Sequence, residues 1–430
     1  MEILKLYEDK DLVIVQDDIK INAGEFKSIC NKIAGYVVDK FKNEKVIGVI
    51  SDNDVYGLLL AVGAACAGKD VLPLSTFNQG LVNEYLIKQT GCKSFIGYGT
   101  DLDHSNKEKI HNLKNYKLNY DYGNFIVSST GSTGIPKISC HNMLDVSPEY
   151  LTNLSELLSS KIPNMDKKIF YSAPLMGGIT VYLSMISVKF IPYLTNQRPS
   201  TNLINEMIAK NNLKICSGRP TLIERFINED IQSLYGAEAL ISSGAPLSEK
   251  QIEYCQNVLG IKYILDLYAT TEAGTIGARD AIREKTFSIL PETSVFDIDS
   301  NGFKIKNTSI RGSYSDKNFY SMQSRYIDDE INYFDNQIKL VGRASKKIKV
   351  SGFSVPMELI KQAVENIPGI VGYRLSIEAS ESSSDLIALK YTGKKYKDDE
   401  IISMLKQKLP FYSIPKKIYY IPADRWGITK

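Results

Sequence analysis

Apolar positions along the start of the chain follow two alternating rhythms. Phe26, Ile29, Ile33, Ala34 and Val37 fall at helical spacing, which predicts an amphipathic helix from about Gly24 to Lys40. Val46 to Ile50 is a short unbroken apolar run and reads as a buried strand. A second, mostly apolar helix follows from Tyr56 to Cys66, ending at Gly68, and Val71 to Leu74 is a further strand. Strand, helix, strand in that order implies right-handed parallel crossovers and the α/β class. Phe125 to Val127, Ala239 to Ile241 and a run beginning near Tyr263 read as more buried strands, and Leu222 and Ile223 open a helix after Thr221. Ser288 to Lys306 alternates with period two around an Asn301-Gly302 turn, as a small β-subdomain would. Pro356 to Val364 and Ile401 to Lys408 read as helices, and Ile370 to Ile377 and Leu386 to Tyr391 as strands, giving a small α+β tail.

A chain of 430 residues is longer than one core usually supports, so two or three structural units are expected. Its 52 Lys+Arg and 49 Asp+Glu are interspersed, which leaves no basic footprint for nucleic acid or a membrane surface. Cys30, Cys66, Cys92, Cys140, Cys216 and Cys255 are scattered without metal-ligand spacing and read as reduced, mostly buried thiols. The N-terminus is too acidic for a signal peptide, and Leu58 to Gly68 is too short to span a bilayer, so a cytoplasmic protein is expected.

The chemistry concentrates after the Phe125 strand, in Ser128-Ser129-Thr130-Gly131-Ser132-Thr133-Gly134-Ile135-Pro136-Lys137. Glycines let backbone N–H groups approach an anion, hydroxyls add donors, and Lys137 supplies a mobile cation; together they suit a polyphosphate. The kinase and GTPase P-loop is excluded because Pro136 separates the last glycine from the lysine.

This segment instead resembles the phosphate loop of the adenylate-forming (ANL) superfamily: acyl-CoA synthetases, adenylation domains of nonribosomal peptide synthetases, and luciferases. Their Thr-Ser-Gly-Ser/Thr-Thr-Gly-x-Pro-Lys pattern is matched from Ser129 to Lys137, with Ser129-Thr130 in place of Thr-Ser. A second segment, Tyr268-Ala269-Thr270-Thr271-Glu272, is similar to the superfamily's Tyr-Gly-x-Thr-Glu, with Ala269 replacing the glycine. The resemblance implies that Tyr268 stacks on adenine, Thr271 donates to the α-phosphate and Glu272 holds Mg2+. Ser243, Gly244 and Ala245 match the turn that lies along the adenine. Tyr171 to Gly178 is similar to one wall of the acyl pocket, and Met176, Gly177 and Gly178 stand where many relatives carry a histidine. A core-filling Met is the plain alternative there. In Arg325-Tyr326-Ile327-Asp328-Asp329-Glu330 two registers put either Asp329 or Glu330 at the ribose-binding acid, with Asp329 preferred. Arg343 would also reach the ribose. Ser345 falls at the hinge between a large domain, residues 1–343, that binds ATP and the acyl group, and a small mobile lid, residues 346–430.

The match departs at the end. Relatives place a lysine directly after a glycine in the last loop, to bridge the acyl carboxylate and the α-phosphate, whereas Ile428 follows Gly427 here. Lys430 is the candidate for that lysine. The expected activity is ATP- and Mg2+-dependent adenylation of a carboxylic acid. Acyl transfer to a thiol would follow, to the phosphopantetheine of a separate carrier protein or, alternatively, to coenzyme A. The chain carries no recognisable carrier domain. No acid lies between Pro174 and Lys189 to pair with an α-amine, which leans toward an aryl or short acyl substrate. The rival from another class is a non-catalytic nucleotide-binding regulator, favoured by the departures at Asp328-Asp329-Glu330 and Ile428. His141 reads as packing behind the phosphate loop, and His104 and His111 as surface residues.

Overall fold

The computed structural model describes residues 2–52, 54–75, 81–103, 107–114, 116, 121–129, 137–162, 166–171, 175–195, 199–300, 302–343, 349–350, 353–354, 357–378 and 386–422. The chain is α/β, as the alternation predicts, and divides into two compact units. One comprises residues 1–76, 89–128 and 138–344; the other comprises 77–88, 129–137 and 345–430.

The first unit contains two large sheets. In the eleven-stranded sheet, Leu12–Gln16, Ile191–Leu194, Lys168–Tyr171, Ile215–Ser217, Ala239–Ser243 and Tyr263–Thr270 lie side by side, every adjacent pair parallel. Gly274–Asp280, Phe287–Ile289, Gln337–Arg343 and Asp329–Phe334 continue it antiparallel. The seven-stranded sheet runs Asn318–Ser321, Ile310–Ser315, Lys137–His141, Phe125–Ser129, Asp70–Leu74, Val46–Ile50, Ser94–Gly97. Strands buried on both faces need no polar alternation, which is why Val46–Ile50 and, after Asp70, the rest of Asp70–Leu74 are such continuous apolar runs.

Helix Val55–Cys66 is apolar all round and every residue of it is buried, against Leu12–Gln16 of one sheet, Val46–Ile50 of the other, and helix Ala23–Lys40. Asp54 caps it by accepting from the Gly57 N–H at 2.7 Å. The two helices approach so closely at Gly63 that a Cβ there would sit 2.6 Å from the Ile33 side chain. Helix Pro220–Asn228 starts earlier than the Thr221 signal suggests. Pro220 occupies its first position, where a missing N–H costs nothing.

Ser294–Asp299 and Gly302–Lys306 form the expected hairpin, and Arg325–Ile327 adds to it as a third strand. In the second unit Ile370–Glu378, Leu386–Gly393 and Lys417–Tyr420 form one sheet, accompanied by helices Met357–Glu365 and Asp398–Lys406. All six cysteines are free and buried, and burial pushes the Cys66 thiol up to about 12. Among the described residues no helix is long and apolar enough to cross a membrane.

Candidate active site

The parallel strands of the eleven-stranded sheet bring several candidate residues to their carboxyl ends, the edge where open α/β sheets bind ligands. Ala239–Ser243 and Tyr263–Thr270 are hydrogen-bonded neighbours, with Ser243 opposite Leu267, so the Ser243-Gly244-Ala245 turn emerges beside Tyr268. Gly244 has φ +88, a conformation that favours glycine. One strand further, the Gly218 N–H donates to the Ile241 carbonyl at 3.0 Å. Lys168–Tyr171 belongs to the same parallel set, and helix Leu175–Ser187 opens with Met176, Gly177 and the buried Gly178 after it.

Tyr263–Thr270 turns through Thr271, Glu272 and Ala273 into the antiparallel Gly274–Asp280. Thr270 Oγ1 accepts from the Ala273 N–H at 3.1 Å, and Gly274 leaves the turn with φ +71. The ladder slips between Tyr268 and Ala269, a bulge that re-aims the residues following it. Tyr268 is buried in a cluster with Ile276, Phe287 and Ile331, its ring 5.6 Å from that of Phe287. Its hydroxyl donates to Asp329 Oδ2 at 2.9 Å.

Asp329 begins the strand Asp329–Phe334, and its register partner on the neighbouring strand is Arg343. The two residues expected at a ribose are therefore cross-strand neighbours, although they lie far apart in sequence. Successive side chains on a strand face opposite ways, so Glu330 is directed away from the face on which Asp329 meets Tyr268. Of the two registers open from sequence, Asp329 is the one that joins the other candidates.

His141, read from the sequence as a packing residue, has a partner that the sequence did not reveal. It ends the strand Lys137–His141, is completely buried, and its Nε2 lies 2.9 Å from the Thr271 carbonyl. Nδ1 lies 3.3 Å from Ser309 Oγ. Burial is the main cause that pushes the imidazole down from 6.5 to about 4; the bond to Thr271 opposes it, and the Arg325 charge adds to it. A carbonyl only accepts, so the neutral ring carries its proton on Nε2, and the unprotonated Nδ1 faces the Ser309 hydroxyl. His111 is likewise no surface residue: it is half-buried, with Nε2 3.0 Å from the Tyr56 hydroxyl.

The His141 shift predicts a pH dependence of stability. The folded pKa lies below the unfolded one, so the contribution is full above about 6.5 and is lost as pH falls toward about 4. Over that window the wild type should lose about 3 kcal/mol more than His141→Gln, which has no group titrating there. Urea unfolding of the two proteins across pH 4 to 7 measures the difference.

Arg325 completes the surroundings of the turn. Its Nη2 donates to the Ile138 carbonyl at 3.0 Å and the Gly312 carbonyl at 2.6 Å, tying Lys137–His141 to Ile310–Ser315. Burial pushes its ionisation down, and the Glu272 carboxylate counteracts this. The sequence quoted this arginine beside the ribose segment without a role. Its work as a strand clamp depends on which carbonyls the sheet exposes.

Of the remaining candidates, Ser129 ends its strand and Lys137 begins the next, with Lys137 half-buried. Thr130, Gly131, Ser132, Thr133, Gly134, Ser345 and Lys430 lie outside the described residues, as does the side chain of Arg343. No group of three or more His, Cys, Asp or Glu among the described residues could by itself hold a metal ion. Glu272 therefore belongs to no such ligand cluster among the described residues. That suits Mg2+ arriving on a nucleotide, where phosphates and water supply most ligands.

No known family model matches the chain. It is similar in sequence to one of the plipastatin synthase subunits of Bacillus subtilis, 20% identical over 90% of this chain and 17% of that protein. The chain therefore spans less than a fifth of the length of that relative. It is also 23% identical to the putative long chain fatty acid-CoA ligase VraA of Staphylococcus haemolyticus, over 67% of this chain and 64% of the relative. In fold it is similar to the amide bond synthetase McbA of Marinactinospora thermotolerans, with a TM-score of 0.77 at 12% identity, covering 98% of this chain and 94% of the other.

Proposed function

We propose that the chain is a member of the adenylate-forming superfamily and that it activates a carboxylic acid with ATP. The acid's carboxylate oxygen attacks the α-phosphorus, the bond to the β-phosphate bridging oxygen breaks, and pyrophosphate leaves. Neither nucleophile nor leaving group needs covalent help, so the protein's part is positioning and charge stabilisation.

The observation that carries this reading is the hydrogen bond from Tyr268, on the strand that runs into the Thr271–Glu272 turn, to Asp329, whose register partner is Arg343. Tyr268 and the Ser243-Gly244-Ala245 turn border the adenine, and Asp329 and Arg343 take the ribose hydroxyls. Thr271 donates to the α-phosphate. The loop from Thr130 to Lys137 holds the outer phosphates. Glu272 is the residue that would hold Mg2+, which supplies charge neutralisation on the phosphates. Lys430 bridges the acyl carboxylate and the α-phosphate, and Met176, Gly177 and Gly178 line the acyl pocket. Residues 346–430 act as a lid turning about Ser345.

The acyl-adenylate passes to a thiol in this reading, that of a phosphopantetheine arm on a separate carrier protein. The likeness to a plipastatin synthase over nearly the whole chain supports this. The likeness to VraA favours coenzyme A as the second reading.

Carboxylate-dependent ATP–pyrophosphate exchange, across aryl, short-chain and amino acids, tests the first half-reaction. Exchange with one class of acid is expected. ATP binding without exchange for any acid in a broad panel would instead establish a non-catalytic nucleotide-binding protein. Loading of radiolabelled acid onto a phosphopantetheinylated carrier protein, compared with acyl-CoA formation, decides the acceptor.

A further inference from the structure

The turn that carries Glu272 is anchored on both sides by one connected set of hydrogen bonds. Before Glu272, the Thr271 carbonyl faces His141 Nε2 at 2.9 Å. After it, the Ala273 carbonyl accepts from Asn307 Nδ2. Asn307 Oδ1 in turn accepts from the Ser309 N–H at 3.1 Å and lies 3.0 Å from Ser309 Oγ, which also faces His141 Nδ1. The Ser309 carbonyl accepts from the Asn142 N–H, so the set closes back on the strand that carries His141. All these groups lie in the first unit, and His141, Ser309, Asn307 and Ala273 are buried.

A peptide group is planar, so fixing the direction of the Thr271 carbonyl also fixes the Glu272 N–H and the start of the Glu272 side chain. We propose that His141 is a positioning residue: its Nε2–H holds the Thr271–Glu272 peptide in one orientation, so that Glu272 is presented to the metal of a bound nucleotide. The inference rests on the adenylation reading and deepens it. Burial, helped by the charges of Arg325 and Arg311, keeps the ring neutral, and the Thr271 carbonyl keeps its one proton on Nε2. His141 touches neither substrate nor metal in this account. It acts through the turn.

Two variants separate positioning from mere packing. His141→Gln keeps an N–H donor at a similar reach, and His141→Leu removes it. In ATP–pyrophosphate exchange, His141→Leu should lower kcat and raise the Mg2+ concentration for half-activity, each about 10-fold or more, in the range typical for removing the partner of a metal ligand. The KM for ATP at saturating Mg2+ should stay within about threefold, and His141→Gln should recover most of both losses. Independently of turnover, calorimetry of ATP binding with and without Mg2+ should show the Mg2+-dependent gain in affinity reduced in His141→Leu and retained in His141→Gln. With only three histidines in the chain, 15N spectra of labelled protein also read the ring directly. One ring should stay in the neutral Nε2–H form from pH 8 to 5.

The inference is overturned if both variants lose activity equally and in proportion to lost thermal stability, with the Mg2+ dependence unchanged. An Nδ1–H form of the buried ring overturns it as well. If the wild type exchanges with no acid, the adenylation reading fails while the Mg2+ dependence of ATP binding still judges the role of His141.

Discussion

Glu272→Gln is expected to lower carboxylate-dependent ATP–pyrophosphate exchange by about 10²- to 10³-fold, the scale of losing one preorganised charge-stabilising group. The substitution preserves size and one acceptor oxygen, so the fold should be kept. What it removes is the single anionic oxygen ligand that the turn offers to a hard cation. It also removes the negative charge that supports ionised Arg325. Binding of Mg2+-free ATP should therefore stay equal or tighten, since an anion has been taken from beside a polyphosphate, while the gain in affinity on adding Mg2+ should shrink. Stopped-time exchange assays and calorimetry measure the two halves. Exchange surviving within about fivefold of wild type would mean that the metal, if it is needed, is held elsewhere.

The second large effect is on stability. Asp266 is buried between two strands, and its Oδ2 accepts from Arg279 Nε at 2.9 Å and Nη2 at 2.8 Å. The pair joins register partners of Tyr263–Thr270 and Gly274–Asp280, and the guanidinium lies 4.6 Å over the Phe287 ring. Burial pushes the Asp266 carboxyl up and Arg279 opposes that push.

Arg279→Met should cost about 3–5 kcal/mol, because it strands a buried carboxylate without its counter-charge. The folded protein would then prefer protonated Asp266, with a pKa raised above the unfolded value. Stability of the variant should accordingly be greatest at low pH and fall as pH rises through that raised value, so the loss is larger at pH 8 than at pH 5. Adding Asp266→Leu should recover most of it, since an apolar pair of similar volume replaces a buried ion pair at little cost. Urea midpoints of the two variants and wild type at both pH values check the order. Equal stability of Arg279→Met and wild type would contradict it. Asp266 lies two residues before Tyr268 on one strand, so the single variant should also weaken nucleotide binding.

The elements with a strong single period were legible from residue order. The predicted helix from Gly24 to Lys40 and strand from Val46 to Ile50 match Ala23–Lys40 and Val46–Ile50, because one apolar stripe or one short buried run admits few alternatives. Boundaries set by capping chemistry shifted by a residue or two, as at Val55 after its Asp54 cap. The loop from Ser129 to Lys137 stood out by side-chain chemistry, since anion binding needs glycines, hydroxyls and a cation in close succession, and the segment from Tyr268 to Glu272 stood out by its resemblance to a superfamily motif.

Residue order by itself determined the α/β class, the glycine- and hydroxyl-rich loop, the Tyr268–Glu272 segment, and the superfamily they resemble, because each of these is written in local periodicity or local residue order. Tertiary structure decided which distant residues meet. It joined Tyr268 to Asp329 rather than Glu330, set Asp329 opposite Arg343, paired Asp266 with Arg279, and carried His141 to the Thr271 carbonyl. Those outcomes depend on strand order and register, which are fixed by burying whole apolar faces at once and by no pair of residues read along the chain.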